Sequence, residues 1–171
     1  MSKNLEIKVK LKNAENAVKL AERFCKGKAT QRFEQKQEDV YYMVKKGRLK
    51  LRIINGKTGN LIHYFRTNKT LKRISNYTIA ETDTPKNLKK ILNSLYKKLI
   101  TVKKTRVVFI TGNVRIHIDK VSGLGHYLEF EIIINSDKPA HTMMKKLIEH
   151  FGLDEKQFIK VSYSDLLLNK K

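Results

Sequence analysis

The sequence lacks the features that mark secreted, membrane and multidomain proteins. Its single cysteine, Cys25, cannot form an internal disulfide, which is typical of a reducing compartment and predicts a cytoplasmic location. No apolar run approaches the roughly 18 residues of a membrane span, and the N-terminus enters alternating sequence directly, so we expect neither a membrane span nor a signal peptide. No repeat or linker rich in proline and glycine interrupts the chain. We therefore expect one domain over residues 1–171.

Acidic residues are scarce relative to basic ones. The chain has 37 Lys and Arg against 16 Asp and Glu, a formal net charge of +21. Such a surplus attracts polyanions such as nucleotides, polyphosphate, nucleic acid or an anionic membrane. A solvated lysine-rich surface explains the same composition, so charge alone does not choose a partner.

Alternation of apolar and polar residues predicts about eight strands and three main helices. The first strand is Leu5 to Leu11, and a helix follows through Cys25. Residues 30–44 are predicted to form two strands, Lys69 to Arg73 a basic loop, and the helical spacing after Pro85 runs on to Leu99. Short turns such as Thr111-Gly112-Asn113 favour antiparallel pairing. We predict an α+β fold, a closed eight-stranded antiparallel β-barrel with helices on its apolar outer faces.

One face of the predicted sheet carries both acids and bases. Glu129 and Glu131 lie two residues apart on a strand and point the same way, as do Arg115, His117 and Asp119 on the strand before it. A solvated sheet face is one interpretation. In the other interpretation, these faces line the inside of the barrel. Unpaired charges buried there cost several kcal/mol each, so a polyanion and a cation are needed to neutralise them.

An interior of this kind suits a triphosphate. Lys and Arg bind its charged oxygens, Arg in a bidentate manner. Carboxylates on neighbouring strands hold Mg²⁺ or Mn²⁺, which bridges to phosphate oxygens. Basic side chains with acidic metal ligands among them therefore indicate metal-assisted phosphoryl or nucleotidyl chemistry. Basic side chains alone would indicate nucleic-acid binding.

Motifs along nearly the whole chain resemble the CYTH superfamily, the triphosphate tunnel metalloenzymes. Within that superfamily the chain resembles the class IV adenylyl cyclase-like branch, which is related to thiamine triphosphatases. Order and spacing together carry the resemblance, and its motifs are Glu6-Ile7-Lys8-Val9-Lys10, Asp39-Val40-Tyr41-Tyr42, Gly47-Arg48-Leu49-Lys50-Leu51-Arg52, Leu61-Ile62-His63-Tyr64-Phe65-Arg66, Lys104-Thr105-Arg106, Gly112 to Asp119, Gly123-Leu124-Gly125 and Leu128-Glu129-Phe130-Glu131.

The resemblance implies a barrel tunnel that binds a triphosphate and a divalent metal, Mg²⁺ or Mn²⁺. It implies metal ligands at Glu6, Glu129 and Glu131, with Asp119 as a further ligand. Catalytic roles are expected for Glu6, Lys10, Glu129 and Glu131. Phosphate contacts are expected from Lys8, Lys10, Lys50, Arg52, Arg66, Lys104, Arg106 and Arg115.

The chain departs from the pattern of the family at two positions. The first-strand signature of the family is Glu-x-Glu-x-Lys, whereas this chain has Lys8 between Glu6 and Lys10. One expected metal ligand is thereby replaced by a positive charge. Asn60 stands where the branch usually has a glutamate.

The resemblance implies an enzyme, and our first expectation is cyclisation of ATP to cyclic AMP and pyrophosphate. Hydrolysis of thiamine triphosphate or tripolyphosphate is the alternative, because the same electrostatics serve both reactions. A third possibility is a non-catalytic module that binds polyphosphate, nucleotide or RNA ends by charge. A triphosphate-containing small molecule is favoured over nucleic acid as the partner. The sequence is compatible with a monomer or a homodimer.

Overall fold

The computed structural model describes residues 2–28, 30–66, 73–134 and 137–170. Within these ranges eight strands form a closed barrel in which every neighbouring pair is antiparallel. Their order around the barrel is β1-β5-β4-β3-β2-β6-β7-β8, and β8 pairs back with β1. The strands are β1 Ser2–Lys10, β2 Gln31–Tyr42, β3 Arg48–Ile54, β4 Thr58–Arg66, β5 Arg73–Thr82, β6 Lys98–Thr111, β7 Val114–Val121 and β8 Gly125–Ile133.

Four α-helices accompany the barrel in the described ranges: α1 Ala14–Cys25, α2 Pro85–Leu95, α3 Asp137–His150 and α4 Tyr163–Leu168. A short 3-10 helix, Glu155–Gln157, lies between α3 and α4. The predicted fold class, a closed antiparallel barrel with flanking helices, is therefore confirmed. No helix in these ranges is long and apolar enough to cross a bilayer.

Two predicted boundaries were wrong. The segment 30–44 forms one strand, β2, because its first half pairs with β6 while its second half pairs with both β6 and β3. Leu99 belongs to β6, which begins at Lys98 rather than at Val102, because the helical spacing continues by chance past the end of α2. Most of the predicted basic loop, residues 69–72, lies outside the described residues.

The apolar core lies between the outside of the barrel and the helices. Helices α1 and α3 cover β1, β7 and β8, where Ile7, Ile116, Phe130, Met144 and Leu147 are fully or almost fully buried. A smaller cluster joins Leu92 of α2 to outward residues of β2 and β3. Because alternate residues of a strand face opposite sides, this arrangement directs the charged alternate positions into the barrel.

The segment after α3 crosses one end of the barrel. Ile159 donates its backbone N–H to the carbonyl of Lys8, 2.8 Å away, and Phe158 forms a bridge with Val9. Ser162 caps α4 by accepting a hydrogen bond from the backbone N–H of Asp165. Arg48 binds both of these side chains, at 2.9 Å from Ser162 Oγ and 3.0 Å from Asp165 Oδ1. The first turn of α4 is thereby fixed against β3.

Candidate functional site

The interior of the barrel contains a cavity of about 230 Å³. Its wall comes from β1, β2, β3, β4, β5, β6, β7 and β8 together with the residues that begin α4. Tyrosines, isoleucines and asparagines make up part of this wall. The charged side chains that line it are Lys8, Lys50, Arg52, Lys104, Arg106 and Arg115, with the acids Glu6, Asp39, Glu129 and Glu131.

Asp39 holds three of these cations together. Arg52 binds it in a bidentate manner, with Nε 2.8 Å from Oδ1 and Nη2 2.9 Å from Oδ2. Lys50 Nζ and Lys104 Nζ lie 3.2 and 3.1 Å from Oδ2. Burial alone raises the pKa of Asp39, but Arg52, Lys104 and Lys50 outweigh it and hold this pKa well below its usual value. Asp39 therefore stays ionised and fixes the three cations on one side of the cavity.

Lys104 is a basic side chain of this group whose charged form is disfavoured by burial. Its side chain is almost fully buried, and burial is the main cause that lowers its pKa to about 7. Asp39 opposes this shift, whereas Arg52 and Arg106 reinforce it by repulsion. At neutral pH the Lys104 amine is therefore divided between its charged and neutral forms.

Asp119 lies behind the cavity wall. It is fully buried and accepts two hydrogen bonds from Arg106, at 2.6 and 2.7 Å, and one from the Tyr163 hydroxyl at 2.7 Å. The pKa of Asp119 is lowered because Arg106 outweighs the effect of burial. Its oxygens are directed at the protein itself, so Asp119 orients Arg106 and anchors the start of α4.

Glu129 lies at the centre of a second cluster. Lys8 Nζ is 3.1 Å from its Oε2, while Arg106 Nη2 and His117 Nδ1 each lie 3.2 Å from its Oε1. Burial acts to raise the pKa of Glu129, but Lys8 and Arg106 hold it well below its usual value. Burial lowers the pKa of His117, and Arg106 adds to that effect. Lys8 also lies over the ring of Tyr163, 4.0 Å from its centroid.

Glu131 has a different set of neighbours. Asn4 donates from Nδ2 to Glu131 Oε1 at 2.7 Å, and Arg115 Nη1 is 3.6 Å from the same oxygen. His117 Nε2 is 3.9 Å from Oε2. Glu6 is the direct cross-strand partner of Glu131 in the β1–β8 ladder, so the two carboxylates belong to one face.

The structure brings most of the residues predicted from the sequence into one cavity. Three of them are exceptions. Lys10 is exposed at the end of β1 and is not part of the wall, and Asp119 lies behind Arg106. Arg66 ends β4, and its side chain lies outside the described part of the structure. The residues in the wall are Glu6, Lys8, Lys50, Arg52, Lys104, Arg106, Arg115, Glu129 and Glu131.

Three residues of the site have no role predicted from the sequence. Asp39 alternates with Tyr41 on the inner face of β2, a pattern that the uncertain strand boundaries concealed. Asn4 precedes Glu6 by two positions and shares its face, which is a usable signal. Tyr163 comes from the tail, and no local pattern indicates that its hydroxyl reaches Asp119.

Comparisons with known proteins agree with this architecture. The family model of the CYTH domain matches residues 2–163. The PH1012 protein from Pyrococcus horikoshii OT3 is 21% identical with a TM-score of 0.83, and the match covers 97% of this chain and 99% of that one. A candidate adenylate cyclase from Vibrio parahaemolyticus is 18% identical with a TM-score of 0.76, covering 96% and 97%.

A third solved structure extends the likeness to another bacterium. A candidate adenylate cyclase from Bacillus halodurans is 14% identical with a TM-score of 0.63, and the match covers 97% of this chain and 98% of that one. At these identities the solved structures show a common fold and nothing more specific. The comparison with curated proteins gives no match.

Proposed function

The chain belongs to the CYTH family, and from this premise we propose that it binds a triphosphate compound inside the barrel and converts it with Mg²⁺ or Mn²⁺. The first reaction that we propose is the cyclisation of ATP to cyclic AMP and pyrophosphate, as in the class IV adenylyl cyclases. The observation that carries the proposal is the cavity, whose wall has six basic side chains on four different strands.

The geometry of the cations supports anion binding. Arg52 uses Nε and Nη2 for Asp39, but a guanidinium has five N–H donors and an ammonium has three. Each cation that Asp39 positions therefore keeps donors for a phosphate oxygen. Because the cations are already held in place, little side-chain entropy is lost when the anion binds.

Two carboxylates fit the divalent metal that the family implies. Glu6 and Glu131 are cross-strand neighbours in the cavity wall and supply the hard oxygen ligands that Mg²⁺ and Mn²⁺ prefer. Within the described ranges no three His, Cys, Asp or Glu side chains form a metal site. Phosphate oxygens and water would complete the coordination, as is usual for Mg²⁺. When bound, the metal neutralises negative charge that develops on the phosphates.

Lys104 suits the transfer of a proton. Its pKa of about 7 leaves a substantial fraction of neutral amine at physiological pH. In cyclisation the neutral amine would accept the proton of the 3′-hydroxyl, and in hydrolysis that of a water molecule. Arg52 and Arg106 would meanwhile hold the phosphate oxygens.

Hydrolysis is the second candidate, because one observation favours it. The cavity of about 230 Å³ is smaller than the roughly 300–1,000 Å³ of pockets that enclose a whole drug-sized ligand. It therefore suits the phosphates, with any organic group left at the mouth of the barrel. Tripolyphosphate and thiamine triphosphate are the substrates to test for this reaction.

A substrate panel separates these proposals. Purified protein is incubated with ATP, thiamine triphosphate or tripolyphosphate and with Mg²⁺ or Mn²⁺, while phosphate, pyrophosphate and cyclic AMP are measured separately. Cyclic AMP with equal pyrophosphate supports cyclisation, and phosphate with a diphosphate product supports hydrolysis. Glu131→Gln should abolish turnover, whereas Glu34→Gln, on an exposed position of β2, should not. Absence of turnover with every substrate would overturn both reactions and leave a binding module.

A further inference from the structure

The first half of β2 has one edge without a strand beside it in the described part of the chain. Residues 31–35 pair with β6 on one side, whereas the pairing of β2 with β3 on the other side begins only at Gln37. The strand starts at Gln31, and the turn after β3 meets it at Lys36, so the open edge comprises residues 31–35. An edge of this kind presents main-chain N–H and C=O groups to which another strand can be added.

Lys36 shows which residues direct their main chain toward the open edge. Its backbone N–H donates to Asn55 Oδ1 at 2.8 Å, and its carbonyl accepts from the backbone N–H of Asn55 at 2.9 Å, both on the side of β3. Main-chain groups of successive residues in a strand point to opposite sides. Arg32 and Glu34 therefore present their N–H and C=O groups to the same side as Lys36, where residues 31–35 have no neighbouring strand among the described residues.

The side chains of the open edge are complementary to a second copy of themselves. When two copies of residues 31–35 pair as antiparallel strands, the middle residue Phe33 lies opposite itself, and Arg32 of each copy lies opposite Glu34 of the other. Opposite charges at such cross-strand positions are stabilising. Moving the register by two residues in either direction would place Arg32 opposite Arg32 or Glu34 opposite Glu34, which is unfavourable.

The exposure of these side chains fits the same pairing. Arg32 lies on the outer face of the sheet, where its Cζ is 5.6 Å from the centroid of the Phe109 ring and its Nε is a loose 3.8 Å from Glu22 Oε1. Phe33 belongs to the opposite face and is 40% exposed. Strand pairing would bring the Phe33 rings of two copies together and remove part of this apolar surface from water.

We propose that two copies of this chain associate through the open edge of β2, with residues 31–35 paired as antiparallel strands about a twofold axis at Phe33. The sheet then continues from β6 and β2 of one copy to β2 and β6 of the other. A second copy is favoured over an unrelated strand because its charges are already arranged to neutralise those of the edge. One strand pair is a small interface and the net charge of +21 opposes association, so we expect a dimer that dissociates on dilution.

Sedimentation equilibrium of the full-length protein at a series of concentrations gives the dissociation constant of the dimer. Glu34→Arg and Arg32→Glu each place like charges opposite one another twice and should each weaken association about tenfold or more. These two variants change the net charge in opposite directions, so general repulsion cannot explain a loss in both. The double variant exchanges the two charges and should restore the wild-type dissociation constant. Glu149→Arg, the same change at an exposed position of α3, is the matched control and should leave it unchanged.

Glu34→Pro tests the main-chain pairing separately. Proline lacks the N–H, and position 34 directs this group away from β6, so the barrel should tolerate the change while the partner strand loses its hydrogen bond. We expect this variant to be monomeric at concentrations where the wild type is a dimer, with an unchanged circular dichroism spectrum. A wild type that is monomeric at every concentration, a double variant as weak as the single ones, or equal weakening by Glu149→Arg would each overturn the proposal.

Discussion

Lys8 Nζ lies 3.1 Å from Glu129 Oε2 across the β1–β8 ladder, where the two residues are direct cross-strand partners. Both side chains are largely buried, with 4% and 12% of their surface exposed. Lys8 is therefore an integrated part of the barrel interior. Its charge is matched to a carboxylate, and its ammonium group lies over the ring of Tyr163.

Removal of the Lys8 charge should destabilise the protein. In Lys8→Met the buried Glu129 carboxylate loses one of its two cationic partners, and breaking a buried pair typically costs about 3–5 kcal/mol. Because Arg106 remains beside Glu129, we expect a loss near the lower end, about 3 kcal/mol. Urea unfolding measures it. Glu22→Gln, which breaks the exposed Arg32–Glu22 pair, should cost no more than about 1 kcal/mol. Similar losses in the two variants would contradict this account of Lys8.

Asp39→Asn should make the stability of the protein dependent on an added anion. The change leaves Lys50, Arg52 and Lys104 close together without their shared carboxylate, and we expect a loss of about 3 kcal/mol or more. Tripolyphosphate should restore part of this loss by supplying negative oxygens to the same cations. The measurement is the shift of melting temperature with tripolyphosphate, which we expect to be larger in Asp39→Asn than in the wild type.

The control for Asp39→Asn is Asp165→Asn. Asp165 also binds an arginine, Arg48, but it is not part of the cavity wall. Its substitution should lower stability without increasing the response to tripolyphosphate. An equal increase in both variants would mean that the anion acts on the general positive charge of the protein rather than on the cluster around Asp39.

Lys104 should make stability depend on pH above neutrality. Its pKa is about 7 in the folded protein, below the usual value of about 10.4 for lysine, so between these values the unfolded chain binds the proton more tightly. The contribution of Lys104 to the free energy of unfolding therefore increases as the pH rises from about 7 toward 10, and this contribution is lost as the pH falls toward 7. Urea unfolding between pH 7 and 9 should show a smaller rise in Lys104→Met than in the wild type.

Lys103→Met provides the comparison for Lys104. Lys103 is the adjacent residue of β6, but it is exposed on the outside of the barrel. This variant should retain the rise of the wild type with pH. If Lys104→Met shows the same increase in stability between pH 7 and 9, the buried amine of the wild type is charged throughout that pH range. The proposed role of Lys104 as a proton acceptor then fails.

Much of the barrel could be predicted from the sequence because the strands are amphipathic. Residues such as Ile116 and Phe130 are fully buried under helices, while their neighbours Arg115 and Glu131 face the cavity. The turn at Gly112 was also predictable, but for a different reason. A tight hairpin turn needs a residue that tolerates positive φ, and the φ of Gly112 is 56°. Alternation thus determined which side chains share a face, and most of the cavity wall follows from it.

The partners of these side chains could not be predicted in the same way. Asp39 binds residues of β3 and β6, and Tyr163 reaches Asp119 over 44 positions of sequence. Such contacts depend on the register of the strands and on the path of the tail, which alternation does not specify. Lys10 is a further case, because its position in the motif predicts a phosphate contact, whereas its place at the end of β1 leaves it exposed.

Binding of tripolyphosphate tests the central claim, that a triphosphate is held by the cations inside the barrel. Calorimetric titration in EDTA compares the wild type with Lys50→Gln and Lys10→Gln, which remove the same charge from the cavity wall and from an exposed strand end. We predict that Lys50→Gln weakens binding about tenfold, the equivalent of one charge-assisted hydrogen bond, while Lys10→Gln has little effect. Equal effects of the two variants, or no binding by the wild type, would contradict the claim.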